Sequence, residues 1–216
     1  MKQKTLFIAS SLFLLVLFIV GAMAYSSSKQ QEAKELAATN QAALLRSHSP
    51  SLGPEAAPVV IVEFFDPACE TCAAFYPKVK QLMAKHPDKI HLVLRYTPFH
   101  NGSDKIVTLL EAARKQGKFW PVLERLLATQ AVWAPHHTPQ LALAMGHLEG
   151  LGLNLEQLAF DMTAPEIAKL IAQDLADAQS LNVTKTPEFF VNGHPLPSFG
   201  FEQLERLVNE ALARSR

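Results

Sequence analysis

Two cysteines, Cys69 and Cys72, are all that this chain of 216 residues has. So small a supply excludes a scaffold stapled by several disulfides, and it leaves no second pair to complete a four-thiolate metal site. Net charge is lacking as well. The 20 basic and 20 acidic side chains cancel, with no basic stripe or acidic tail, so charge nominates no nucleic acid as a partner. Internal repeats and low-complexity runs are absent, and the 14 prolines and 9 glycines are spread out, which excludes fibrous and disordered classes. What is present, 49% hydrophobic and 19% charged residues, suits one globular domain of ordinary size or one domain carrying an insertion.

Part of the hydrophobicity sits at the N-terminus, where Lys2 and Lys4 precede 19 uncharged residues from Leu6 to Ala24. At 1.5 Å per residue such a run nearly spans a hydrocarbon core of ~30 Å, while Ala22-Met23-Ala24 has the small side chains of a cleavage site. Residues 1–24 therefore read as a membrane anchor or a signal peptide. Either way the rest is expected on the periplasmic side of a bacterial inner membrane. Residues 25–47, rich in Ser, Gln and Ala, read as a spacer with too weak a heptad for a coiled coil. "SPSLGPEAAP" breaks any helix, so the folded domain is expected over residues 48–216.

There the periodicity changes. "VVIVEFF", Val59 to Phe65, is an apolar run of strand length, as expected for a central strand covered on both faces. "DPAC" ends it. The next stretch places Phe75, Val79, Leu82 and Met83 at helical spacing, with Pro77 expected to kink the helix. A second strand is expected at Ile90 to Tyr96. Helical signal then fills about 103–181, with Ser103, Thr138 and Thr163 as expected N-caps and "TAPE" as a capping box. Strand signal returns in "TPEFFVNGHPLPSFG", where Asn192-Gly193 predicts a hairpin, and "FEQLERLVNEALARS" predicts a last helix. The sum is an α/β domain with an all-helical insert.

In that setting Cys69 opens a helix, where the dipole and unpaired N–H groups favour a thiolate. Cys72 lies one turn on, close enough to attack a mixed disulfide formed at Cys69. A purely structural disulfide is a poor alternative, because closing so short a loop removes little unfolded-state entropy. A zinc or copper module that uses the pair with histidines such as His100, His136 and His137 is a second alternative, although adjacent loop histidines are ordinarily just solvated. Glu63, a carboxylate within an apolar strand, would have its pKa raised by burial and suit a proton relay.

"LGPEAAPVVIVEFFDPACETC" and "VTKTPEFFVNG" resemble the DsbA-like thiol-disulfide oxidoreductases, a likeness that covers about residues 50–214. The resemblance implies a thioredoxin fold interrupted by a helical domain, and no cofactor. It implies Cys69 as nucleophile, Cys72 as resolving thiol, Thr186 before a cis Pro187 as the substrate-facing pair, and Glu63 as the buried acid. It also implies cysteine-containing exported proteins as substrates and a membrane redox partner that recycles the pair. The chain departs from the strong oxidants of the family in carrying Glu70 and Thr71, with no histidine, between the cysteines. A carboxylate there opposes the thiolate and tilts the disulfide away from the oxidising extreme. Oxidase is the favoured role, with reductase or isomerase the alternative.

Overall fold

The computed structural model describes Tyr25 and residues 40–215. Residues 1–24, expected to address a membrane, lie outside the described residues, as does most of the expected spacer. Among the described residues no helix is long and apolar enough to cross a membrane. The compact unit Ala43–Arg216 begins within the last residues of that spacer segment.

Five strands form one mixed sheet in the order β1-β3-β2-β4-β5, with β1 Ser51–Leu52, β2 Val59–Phe65, β3 Ile90–Tyr96, β4 Glu188–Val191 and β5 His194–Pro195. β2 lies at the centre, as its apolar run predicts. It pairs in parallel with β3 along its whole length, from Val59 opposite Ile90 to Phe65 opposite Tyr96, and antiparallel with β4. A parallel neighbour needs a crossover. Helix α1, Glu70–Lys85, supplies it and carries Pro77 inside a continuous helix. β4 and β5 form the hairpin around Asn192-Gly193, both of them at positive φ.

Successive strand side chains point to opposite faces. Ile61 and Phe65 therefore pack with Phe75, Val79 and Leu82 of α1 and with Leu204 and Val208 of the last helix. Val62 and Phe64 face the other way, onto Leu44, Val93, Ala178 and Phe190. The same alternation puts Glu63 on the side of α1.

Between β3 and β4 the chain forms α2 Ser103–Lys115, α3 Phe119–Ala128, α4 Gln130–Trp133, a 3-10 turn Pro135–His137, α5 Leu141–Gly146, α6 Leu155–Asp161 and α7 Pro165–Ser180. Helix α8, Phe201–Arg214, follows the hairpin. The insert is all-helical, but none of the three expected caps forms. Gly102, at φ 91, caps α2, and Ser103 instead donates its Oγ hydrogen to Asp66 over 2.6 Å. Thr138 ends the 3-10 turn, and α5 starts only at Leu141. Thr163 bonds back to the Phe160 carbonyl at 2.7 Å while Ala164 occupies the N-cap of α7, and Glu166 reaches Lys115 at 2.8 Å rather than closing a capping box. The Thr138 hydroxyl likewise donates elsewhere, to the His136 carbonyl at 3.3 Å.

A charged cluster joins this insert to the sheet. Arg95 of β3, fully buried, donates to Asp174 at 2.7 Å and Asp177 at 2.6 Å, both on α7, and to the Ala43 carbonyl. Arg46 grips Asp177 through both carboxylate oxygens at 2.8 and 2.7 Å. Against the cost of burial, Arg46 and Arg95 hold the Asp177 carboxyl below its usual range. Residues 43–46 are thus tied to β3 through the Ala43 carbonyl and to α7 through the Arg46–Asp177 ion pair.

Candidate active site

β2 ends under the N-terminus of α1, and the turn between them places Cys69 at the helix N-cap, with φ −77 and ψ 116. Its sulfur accepts the backbone N–H of Cys72 at 3.4 Å. As a thiol it donates to the carbonyl of Thr186 at 3.2 Å. Thr186-Pro187 is a cis peptide bond just ahead of β4, so the sheet carries this segment to the cysteine across 117 residues of sequence.

Both cysteines are free, and they differ in acidity. The Cys72 thiol, donating to the Cys69 sulfur, brings Cys69 down to about 5; burial opposes this, and the Thr186 side chain and the N–H groups of Cys72 and Thr71 add to it. Cys72, with no exposed surface, is pushed well above the ordinary thiol value by burial, by that same bond and by the charge of Glu63. One sulfur of the pair is an anion at neutral pH and its partner keeps its proton. Cys69 is 4% exposed and Cys72 0%, so their order of exposure is the expected one but the margin is narrow.

Glu63 is wholly buried, and neither carboxylate oxygen has a hydrogen-bond partner among the described residues. Burial, and then the charge of Cys69, push its pKa up to about 8. It is a neutral carboxylic acid at neutral pH, placed by the pleat of β2 on the cysteine side of the sheet. The structure therefore brings together Cys69, Cys72, Glu63 and the Thr186-Pro187 segment.

It also gathers residues to which the sequence assigned no part in holding the cysteine turn. Asp66, fully buried, accepts four hydrogen bonds: from Ala68 N at 2.9 Å, Ser103 Oγ at 2.6 Å, His100 N at 2.9 Å and His100 Nδ1 at 2.7 Å. His137 lies against the Ala68 carbonyl at 3.2 Å and stacks on His100 with ring centroids 4.5 Å apart. Gln130 Nε2 donates to the carbonyls of Pro67 at 2.7 Å and Cys69 at 3.1 Å. His137, expected to be merely solvated, is committed to the cysteine turn. The available signals were an aspartate directly after an apolar strand and two histidines in an otherwise apolar loop. Among the described residues, no group of three or more His, Cys, Asp and Glu side chains stands ready to hold a metal ion.

Known proteins match this arrangement. A sequence model of the thioredoxin family covers residues 46–210. The probable disulfide bond formation protein D of Bacillus cereus is 27% identical over 99% of this chain and 100% of its own. A thioredoxin-like oxidoreductase from Silicibacter pomeroyi superposes with a TM-score of 0.67 at 31% identity, covering 79% of this chain and 94% of that one. The Na(+)/H(+) antiporter NhaA of Herminiimonas arsenicoxydans is 32% identical over 67% of this chain but only 22% of the antiporter, so the chain spans about a fifth of that relative's length. The chain belongs to the thioredoxin family, and its fold, with a helical insertion, is that of DsbA-like structures.

Proposed function

We propose that this protein is an exported oxidase that passes a disulfide from Cys69 and Cys72 to cysteine pairs of other exported proteins. The observation that carries this reading is the division of acidity across the pair: Cys69 at about 5, Cys72 well above the ordinary thiol value. A sulfur with a low pKa is a good leaving group, and stabilising the reduced form makes the disulfide more oxidising.

In the forward cycle a substrate thiolate attacks Cys69 Sγ of the disulfide. The S–S bond breaks, and its electron pair goes to Cys72, which takes up a proton. Glu63, protonated at neutral pH, is the donor. A second substrate thiolate then attacks the substrate sulfur of the mixed disulfide and expels Cys69 as a thiolate. The substrate loses two electrons and the Cys69–Cys72 pair gains them. Thr186, whose carbonyl faces Cys69, offers its backbone to an extended substrate segment in strand-like pairing, with Pro187 completing that edge. A membrane redox partner takes the two electrons from the reduced pair and closes the cycle, and residues 1–24 bring the protein to that membrane.

The test is oxidative refolding. Catalytic amounts of the oxidised full chain, with a terminal oxidant present, should restore activity to a reduced, denatured protein that needs disulfides. Failure to do so, with efficient reduction of insulin instead, would assign the reductase role.

A further inference from the structure

The turn that carries Cys69 is bonded at three successive carbonyls by side chains of the helical insert. Gln130 Nε2 serves Pro67 and Cys69, and His137 serves Ala68. A carbonyl only accepts, so the His137 nitrogen facing it, Nδ1, carries a hydrogen. The contact belongs to a closed ring of side chains and backbone. Asp66 accepts the Ala68 N–H; the Ala68 carbonyl meets His137; His137 stacks on His100; and His100 Nδ1 returns to Asp66. Delivering His137 to its place takes two successive residues into the left-handed region, His136 at φ 51 and His137 at φ 59. Side chains other than glycine seldom adopt that conformation, and surrounding contacts must hold it. His137 meets the Ala68 carbonyl rather than the sulfur, so it acts through the turn.

We propose that His137 and Gln130 are positioning residues for Cys69, through which the helical insert sets the reactivity of the thiol. The reading rests on the proposed exchange function. Its physical basis is that the Cys69 thiolate is held by groups at the start of α1, the Cys72 N–H at 3.4 Å among them. Those bonds persist only while the turn keeps the sulfur over the helix end. The histidine missing between the cysteines is thus supplied from across the fold, by support of the turn rather than by charge beside the sulfur.

The experiment is the pH profile of iodoacetamide alkylation at Cys69, followed by mass spectrometry on the reduced full chain. The wild type should show a midpoint near 5. His137→Ala should move the midpoint upward and lower the rate at acid pH about fivefold, the effect of losing one ordinary hydrogen bond. Gln130→Met should act in the same direction. His137→Asn, which keeps a side-chain N–H for the Ala68 carbonyl, should stay within about twofold of wild type. Melting curves of the four proteins guard against loss of fold, and His137 is only half-buried. A low wild-type midpoint that His137→Ala leaves unmoved would overturn the inference and spare the exchange function. The inference is equally overturned if His137→Asn falls as far as His137→Ala. A wild-type midpoint at the ordinary thiol value would instead sink the proposed function itself.

Discussion

The sulfur of Cys69 lies 3.2 Å from the carbonyl oxygen of Thr186, although 117 residues separate them in sequence. Attack at that sulfur leaves the incoming chain beside the Thr186 backbone. Cys69→Ser should abolish disulfide exchange, whereas Cys72→Ser, whose Cys69 thiolate can attack a substrate disulfide but has no resolving thiol beside it, should accumulate mixed disulfides with disulfide-containing proteins, visible on non-reducing gels. Labelling of the wild type at neutral pH should reach Cys69 first. Faster labelling of Cys72 would reverse the assignment of nucleophile and resolving thiol.

Glu63 ties the chemistry to stability through pH. Its folded-state pKa of about 8 lies above the ordinary carboxylate value of 4.5. Its contribution to stability is therefore fully present below pH 4.5 and lost as pH rises through about 8. The full span corresponds to something on the order of 5 kcal/mol. Glu63→Gln should leave stability at pH 4 little changed and make the protein more stable than wild type at pH 9, as read by urea denaturation. It should also slow exchange by roughly tenfold or more, because the proton for Cys72 then lacks its donor.

Asp66 holds the cysteine turn from below with four accepted hydrogen bonds in a fully buried site. Asp66→Ala leaves those donors without an acceptor, and the expected loss is about 3–5 kcal/mol in denaturant unfolding. A loss below 1 kcal/mol would mean that the donors find other partners cheaply.

The redox potential should fall between about −270 mV, the thioredoxin value, and about −120 mV, that of the strongest oxidants. The acid Cys69 pulls toward the oxidising end, and the exposed Glu70 in the first turn of α1 opposes it. Glu70→His should shift the potential toward oxidising by roughly 10–20 mV, since an exposed charge at a helix end acts with a few tenths to 1 kcal/mol. Equilibration against glutathione measures both values, and a shift in the reducing direction would show that charge is not the controlling factor.

The two long strands and the hairpin were legible because their signals are local: unbroken apolar runs for β2 and β3, and Asn192-Gly193 for the turn. Cys69 and Cys72 announced themselves by their number and spacing, and Glu63 by its place in an apolar strand. Side-chain commitments made across the fold were not legible. Ser103 reads as a cap because caps are common, yet Asp66, 37 residues earlier, claims its hydroxyl. His137 looks like a solvated loop residue until the carbonyl of Ala68, 69 residues away, is brought to it. β1 fell within a stretch dominated by proline and glycine, and it exists as a strand only because β3 offers an edge for two residues.

The buried Arg95 has a bearing on how the molecule comes apart. It joins a strand of the sheet to Asp174 and Asp177 of α7, while Gln130 and His137 join other parts of the insert to the cysteine turn. One continuous apolar core also runs from Ile61 and Val79 through Leu110 and Leu126 to Trp133 and Leu158. An insert fastened at its middle and at its last helix, and filled from the same core, should not melt as a separate foldon. Amide hydrogens of α2 and of β2 should therefore exchange through a single cooperative opening, with the insert lost only when the sheet is lost.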